Sequence, residues 1–150
     1  MRDGLKRVPG GARMVQRRCR IRVSMMKLSV FPHLHAADTE LSVRFYVAEL
    51  SLFRVSVDYG MATYRVVANE DASVGLLLLQ GEPATPAQRP AFTLAVSDIA
   101  PLFQRLKDFE FSTGAELLTK RALFEYPAGR SMTLKDPGGN VFIVEQPWIT

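Results

Sequence analysis

Cysteine is nearly absent: Cys19 is the only one in 150 residues. A lone thiol excludes an internal disulfide and any zinc site built on cysteine pairs, and it suits a reducing compartment. Histidine is almost as scarce, with only His33 and His35 present. No apolar run approaches the ~20 residues that cross a bilayer. The chain also has no glycine-rich phosphate loop, nucleophile elbow or paired-cysteine motif. We therefore expect a cytoplasmic protein without a membrane span, of 47% hydrophobic and 23% charged residues, long enough for one domain or two small fused modules.

Basic charge is lacking wherever a folded face needs it. Of 19 Lys and Arg, eight fall within 1–26 against Asp3 alone, so 27–150 holds 11 basic and 14 acidic residues. A nucleic-acid footprint is a basic patch on a folded face. No such cluster follows Lys27, and we expect no nucleic-acid partner. The segment 1–26, with Pro9-Gly10-Gly11 and scattered arginines, has no apolar period. It reads as a disordered basic extension, as translated upstream sequence with Met25 or Met26 the biological start, or as an arginine-rich presequence.

What is present is a pattern that runs twice. Leu28 to Ala36 reads as a strand interrupted by Pro32, and Asp38 or Thr39 caps a helix carrying Leu41, Phe45 and Ala48. Phe53 to Asp58, Thr63 to Val67 and Val74 to Leu79 read as strands, with turns at Asp58-Tyr59-Gly60 and Asn69-Glu70-Asp71. The proline-rich stretch 81–90 reads as a linker between module one (27–80) and module two (91–150). Ala91 to Val96 is then a strand, and Asp98 caps a helix with Ile99, Leu102, Phe103, Leu106 and Phe109 on one face. Strands near Ala115 to Lys120, Arg130 to Leu134 and Val141 to Gln146 complete it. At an offset of 60, Leu34 meets Leu94 and Asp38 meets Asp98.

The most informative stretch is Lys135 to Gln146. Asp136-Pro137 opens a turn, Gly138-Gly139 permits positive φ, and Asn140 tolerates it. In the strand that follows, Val141, Ile143 and Glu145 share one face, and Phe142 and Val144 the other. Together with Asp38 before Ser42-Val43-Arg44-Phe45-Tyr46, and the helix exit at Leu50 to Phe53, this turn resembles the vicinal oxygen chelate superfamily. That group includes glyoxalase I, bleomycin resistance proteins and extradiol dioxygenases. The resemblance covers about Leu28 to Pro147 and implies an α+β fold, two tandem βαβββ modules forming curved mixed sheets around a cleft. At the helix exit the family often has glycine, where this chain has Ser51.

The resemblance also implies where a divalent metal would be held: four side chains from the first and last strands of each module, usually His, Gln or Glu. Here the corresponding positions are Phe31, Ala91, Ile143 and a residue within Leu76 to Leu79, none of which ligates a metal. We expect a metal-free small-molecule-binding protein, closest in type to the bleomycin resistance members, that sequesters a drug or metabolite. Its cavity would be lined by Phe31, His33, His35, Leu77, Thr93, Tyr126, Ile143, Glu145 and Trp148. His33 and His35 at i and i+2 share a strand face with Phe31. They read as polar cavity lining, or with Glu145 as a displaced metal site of a divergent lyase, isomerase or dioxygenase. A third reading is a structural dimer without a pocket. Unpaired sheet edges and an incomplete cavity wall imply a homodimer.

Overall fold

A computed structural model of the chain describes residues 26–82 and 89–149. The basic extension 1–26 and the centre of the 81–90 linker lie outside these residues, apart from Met26 itself. The first module holds β1 (His33–Ala36), α1 (Thr39–Arg44), β2 (Phe53–Gly60), β3 (Thr63–Ala68) and β4 (Gly75–Gln80). The second holds β5 (Thr93–Ala95), α2 (Ala100–Lys107), β6 (Glu116–Leu117), β7 (Phe124–Tyr126), β8 (Gly129–Lys135) and β9 (Val141–Pro147). Each module builds its own mixed sheet, ordered β1-β4-β3-β2 and β5-β9-β8-β6, with β7 also on β8. The first strand of each runs parallel to the last and the other pairs are antiparallel. This is the expected α+β architecture of two tandem modules, βαβββ in the first and the same with one added short strand, β7, in the second.

Local chemistry explains the helix starts. Asp38 caps α1, its carboxylate accepting from the N–H groups of Glu40 and Leu41. Asp98 does not cap α2 as the sequence suggested. Of the two N–H groups that a cap there would take, that of residue 101 is missing because it is proline, so Asp98 accepts only one long bond from Ala100 N–H (3.4 Å) and Ile99 becomes the cap residue. The helix ends at Lys107, which leaves Phe109 beyond its apolar face and exposed.

Other departures have equally local causes. Pro32 confines β1 to four residues, leaving a single bridge from Val30 to Val74. The β2–β3 reversal falls at Met61 and Ala62, which both adopt positive φ, rather than at Asp58-Tyr59-Gly60. β6 is short because the Thr119 hydroxyl takes the N–H of Thr133, and β8 then finds an unanticipated partner in β7. Helix α1 runs on into a wider π-type turn over Phe45–Glu49, closed by Leu50 N–H on the Phe45 carbonyl at 2.7 Å. It ends at Ser51 with φ 63°. Ser51 thus occupies the left-handed cap position that favours glycine.

The two modules share one core. Phe45, Tyr46, Leu50, Leu76, Leu78, Met132, Leu134, Phe142 and Val144 are all fully buried within it. A polar clasp crosses this core. The Tyr46 hydroxyl donates to Asp136 Oδ2 at 2.8 Å, and Asn140 donates through its side-chain amide to Asp136 and to the His35 carbonyl. Of the turn residues, only Gly139 has positive φ, 87°. Asn140 serves as a donor instead, and Gly138 permits close approach, since a Cβ there would stand 2.7 Å from the His35 carbonyl oxygen. Burial pushes the Asp136 carboxyl above its usual range, against the pull of Tyr46 and Asn140; burial, then the Asp136 charge, pushes the Tyr46 phenol well up. A second clasp joins the helices: Arg105 donates to the carbonyls of Glu49 and Leu50, and the buried Glu49 carboxylate accepts from Ser112 N–H and the Thr113 hydroxyl.

Removing one donor from a buried carboxylate costs about 1–3 kcal/mol, so Tyr46→Phe should lower stability by that amount in a urea titration. Ser51→Gly should act the other way, raising stability by roughly 0.5–1 kcal/mol in the same assay, because it relieves the left-handed backbone.

Candidate functional site

Alternation along the strands divides every sheet residue between the shared core and an outer face. In module one, Leu34, Ala36, Leu76 and Leu78 turn inward, which leaves His33, His35, Leu77 and Leu79 on the outer face. The register sets His33 beside Leu77 and His35 beside Leu79, with Arg65 across from Leu77. Phe31 joins this face. Its ring lies over Gly75, where an added Cβ would stand 2.8 Å from the ring edge, and the Arg65 guanidinium sits 5.3 Å from the ring centre. Arg65 is steadied there by donating to Ser56 Oγ at 3.0 Å. The sheet therefore carries an apolar strip of Phe31, Leu77 and Leu79 flanked by two imidazoles and one guanidinium.

In module two, Phe142 and Val144 turn inward, and Ile143 and Glu145 lie on the outer face with Thr93 and Ala95 of β5 beside them. Thr133 and Ser131 of β8 lie across from Ile143 and Glu145. The Tyr126 hydroxyl donates to Glu145 Oε2 at 2.7 Å, and this bond, aided by partial burial and the carboxylate charge, raises the phenol's pKa. The bond is an anchor for Glu145 that the sequence did not suggest, because Tyr126 falls on the unanticipated strand β7. Trp148 stands apart from this group. Its indole packs on Arg130, 5.6 Å from the ring centre, and Arg130 pairs with Gln146, which alternation turns away from Glu145.

Phe31, His33, His35 and Leu77 thus meet on sheet one, and Thr93, Tyr126, Ile143 and Glu145 on sheet two. The histidines and Thr93 are exposed, so within one chain both faces are open. Among the described residues no three His, Cys, Asp or Glu side chains come together as a metal-binding group. His33, His35 and Glu145 lie on different sheets, and a single chain does not assemble them. Among the described residues no helix is long and apolar enough to cross a membrane.

Three solved structures share this fold. TnmS3, an antibiotic binding protein from Streptomyces sp. CB03234, is 23% identical and superposes with a TM-score of 0.60 over 81% of this chain and 98% of that one. FosX, a fosfomycin resistance protein from Listeria monocytogenes, is 12% identical with a TM-score of 0.62 over 83% and 97%. A glyoxalase/bleomycin resistance protein/dioxygenase from Alicyclobacillus acidocaldarius is 15% identical with a TM-score of 0.59 over 80% and 91%. The chain has the vicinal oxygen chelate fold. Identities this low establish the fold alone. No protein-family model and no curated protein matches the sequence.

The four positions at which the vicinal oxygen chelate fold implies metal ligands can be placed from the register. Ile143 lies beside Thr93 as Leu77 lies beside His33, so Leu77 is the module-one counterpart of Ile143. The set is then Phe31, Leu77, Ala91 and Ile143. It does not fit a metal: it offers no donor atom, and the Arg65 charge over Phe31 would repel a cation placed there. The Tyr126–Glu145 bond is directly testable. Glu145→Gln should return the Tyr126 phenol toward its ordinary pKa, because an adjacent carboxylate disfavours the phenolate and an amide does not. A spectrophotometric titration of wild type and variant should show one tyrosine ionising at lower pH in the variant.

Proposed function

We propose that this protein binds an apolar small molecule stoichiometrically and without a metal, against the outer faces of its two sheets. The observation that carries this reading is the strip of Phe31, Leu77 and Leu79 on one face and Ile143 on the other. Apolar walls with few polar groups are the usual make-up of a small-molecule site. His33, His35 and Arg65 on sheet one and Glu145 on sheet two would orient the ligand. Tyr126 enters through Glu145, which it holds in place. Two structural neighbours, an antibiotic binding protein and a fosfomycin resistance protein, support a reading in which a drug or metabolite is sequestered.

An open face in one chain gains its missing wall from a second, so the binding form would be a homodimer that sets sheet one of one chain against sheet two of its partner. Light scattering should then give twice the chain mass. A thermal-shift screen of bleomycin, fosfomycin and aromatic antibiotics should yield a compound bound at one per chain, unchanged in mass and insensitive to chelator. Leu77→Asp or Ile143→Asp should weaken it about tenfold or more, with the dimer intact. A divalent ion retained near one per chain and lost in His33→Ala would overturn this reading in favour of the metalloenzyme. A screen with no hit would leave the protein a structural dimer.

A further inference from the structure

The internal repeat is closed at one end of the molecule and open at the other. At the closed end the β8–β9 turn of module two packs on the end of β1, with Tyr46 seated on Asp136 and Asn140 on the His35 carbonyl. The counterpart in module one is the β3–β4 turn, in which Ala68 N–H bonds the Val74 carbonyl as Asp136 N–H bonds the Asn140 carbonyl. Ala68 therefore stands where Asp136 stands, Val74 where Asn140 stands, and Leu106 where Tyr46 stands. Every polar member of the clasp is replaced by an apolar residue. The module-one turn is also longer, with five residues between its bonded pair instead of three.

No clasp forms here, and a groove of about 600 Å³ opens between the helix exit, this turn and the end of β5. Leu52, Leu94, Val96 and Leu102 make an apolar floor, and Glu70, Asp71 and Asp98 stand among the lining residues, which include no lysine or arginine. Asp71 is held in its charged form, because Ser73 donates both N–H and Oγ–H to it and pulls the carboxyl below its usual range. Asp98 has Arg130 at 4.0 Å as its counter-ion, so Glu70 and Asp71 carry the excess negative charge. The volume falls within the ~300–1,000 Å³ of small-ligand sites. The groove opens on the other side of the sheets from the outer faces, since Leu94, Val96 and Ala68 turn toward the core side, and Ala95 alone of the strand residues lining it belongs to an outer face. The chain between the two modules leaves after β4, where Gly81 bonds Ala36, and re-enters before β5, where Ala91 bonds Val141. Both points are at the far ends of those strands.

We propose that this groove is a second binding site, for a small organic cation with an apolar body. The apolar floor takes the body, and the Glu70 and Asp71 carboxylates take the charge, over distances at which a surface pair still attracts. Nothing in this depends on whether a ligand also binds the outer faces.

The probe is tetraphenylphosphonium, set against tetraphenylborate, which has the same shape and the opposite charge. Added to the full chain and followed by amide chemical shifts, the phosphonium should bind with a Kd of about 1 mM or tighter. The shifts should be confined to Asn69–Val74 and Leu94–Leu102, and the borate should not bind there. Glu70→Lys should weaken binding about tenfold, and Val74→Trp should fill the groove and abolish it, both with unchanged melting temperature. Equal binding of the borate, indifference to Glu70→Lys, or shifts only around Leu77 and Ile143 would overturn the proposal. So would a spin label on Cys19 that already broadens the Glu70 and Val74 amides before any cation is added. That result would make the chain's own basic segment the occupant.

Discussion

A buried carboxylate with a full set of donors holds this molecule together. Asp136 lies at the mouth of the β8–β9 turn, where Asn140 N–H and side-chain amide and the Tyr46 hydroxyl all converge on it. Tyr46 comes from module one and the turn from module two, and Asn140 then reaches back to the His35 carbonyl of module one. A buried polar network of this kind is stabilising only when every member is paired, so the relative placement of the two modules has little freedom. Gly138 completes the constraint by letting the turn lie directly on Ala36.

That constraint decides what the outer faces can do. With the helices and Phe142 committed to the shared core, each sheet shows its other side outward. Sheet one pairs an apolar strip with a ring–guanidinium contact at Phe31 and Arg65, which places a fixed positive charge beside an apolar surface. Sheet two sets Glu145, pinned by Tyr126, beside Ile143. The two faces thus differ in the charge they carry, a guanidinium on sheet one and a carboxylate on sheet two.

The same repeat that creates two similar faces is broken at the turns between the last two strands. One turn has Asp136 and Asn140 and closes on β1, while the other has Ala68 and Val74 and leaves a groove. The module-one turn thus carries apolar residues at the places of Asp136 and Asn140, and the positions where the fold implies metal ligands are apolar as well.

Much of this was legible in the sequence. The repeat at an offset of 60, Asp38 as a cap, and the alternation of Val141 to Glu145 all follow from residue types acting on their near neighbours. The apolar character of Phe31 and Ile143 needed only the motif spacing. Signals that depend on competition between neighbours were harder to read. Pro101 disarmed the Asp98 cap, Thr119 ended β6, and the run of four leucines gave no register until β1 set Leu77 beside His33. Contacts between distant segments were not legible at all: no local pattern pairs Tyr46 with Asp136, Tyr126 with Glu145, or Arg65 with Phe31. The sequence by itself determined the modules and their strand faces, because these are short-range consequences of side-chain type and period. Only the tertiary structure decided which polar groups meet and which turn leaves a groove, because those depend on how two modules pack through a core that neither completes alone.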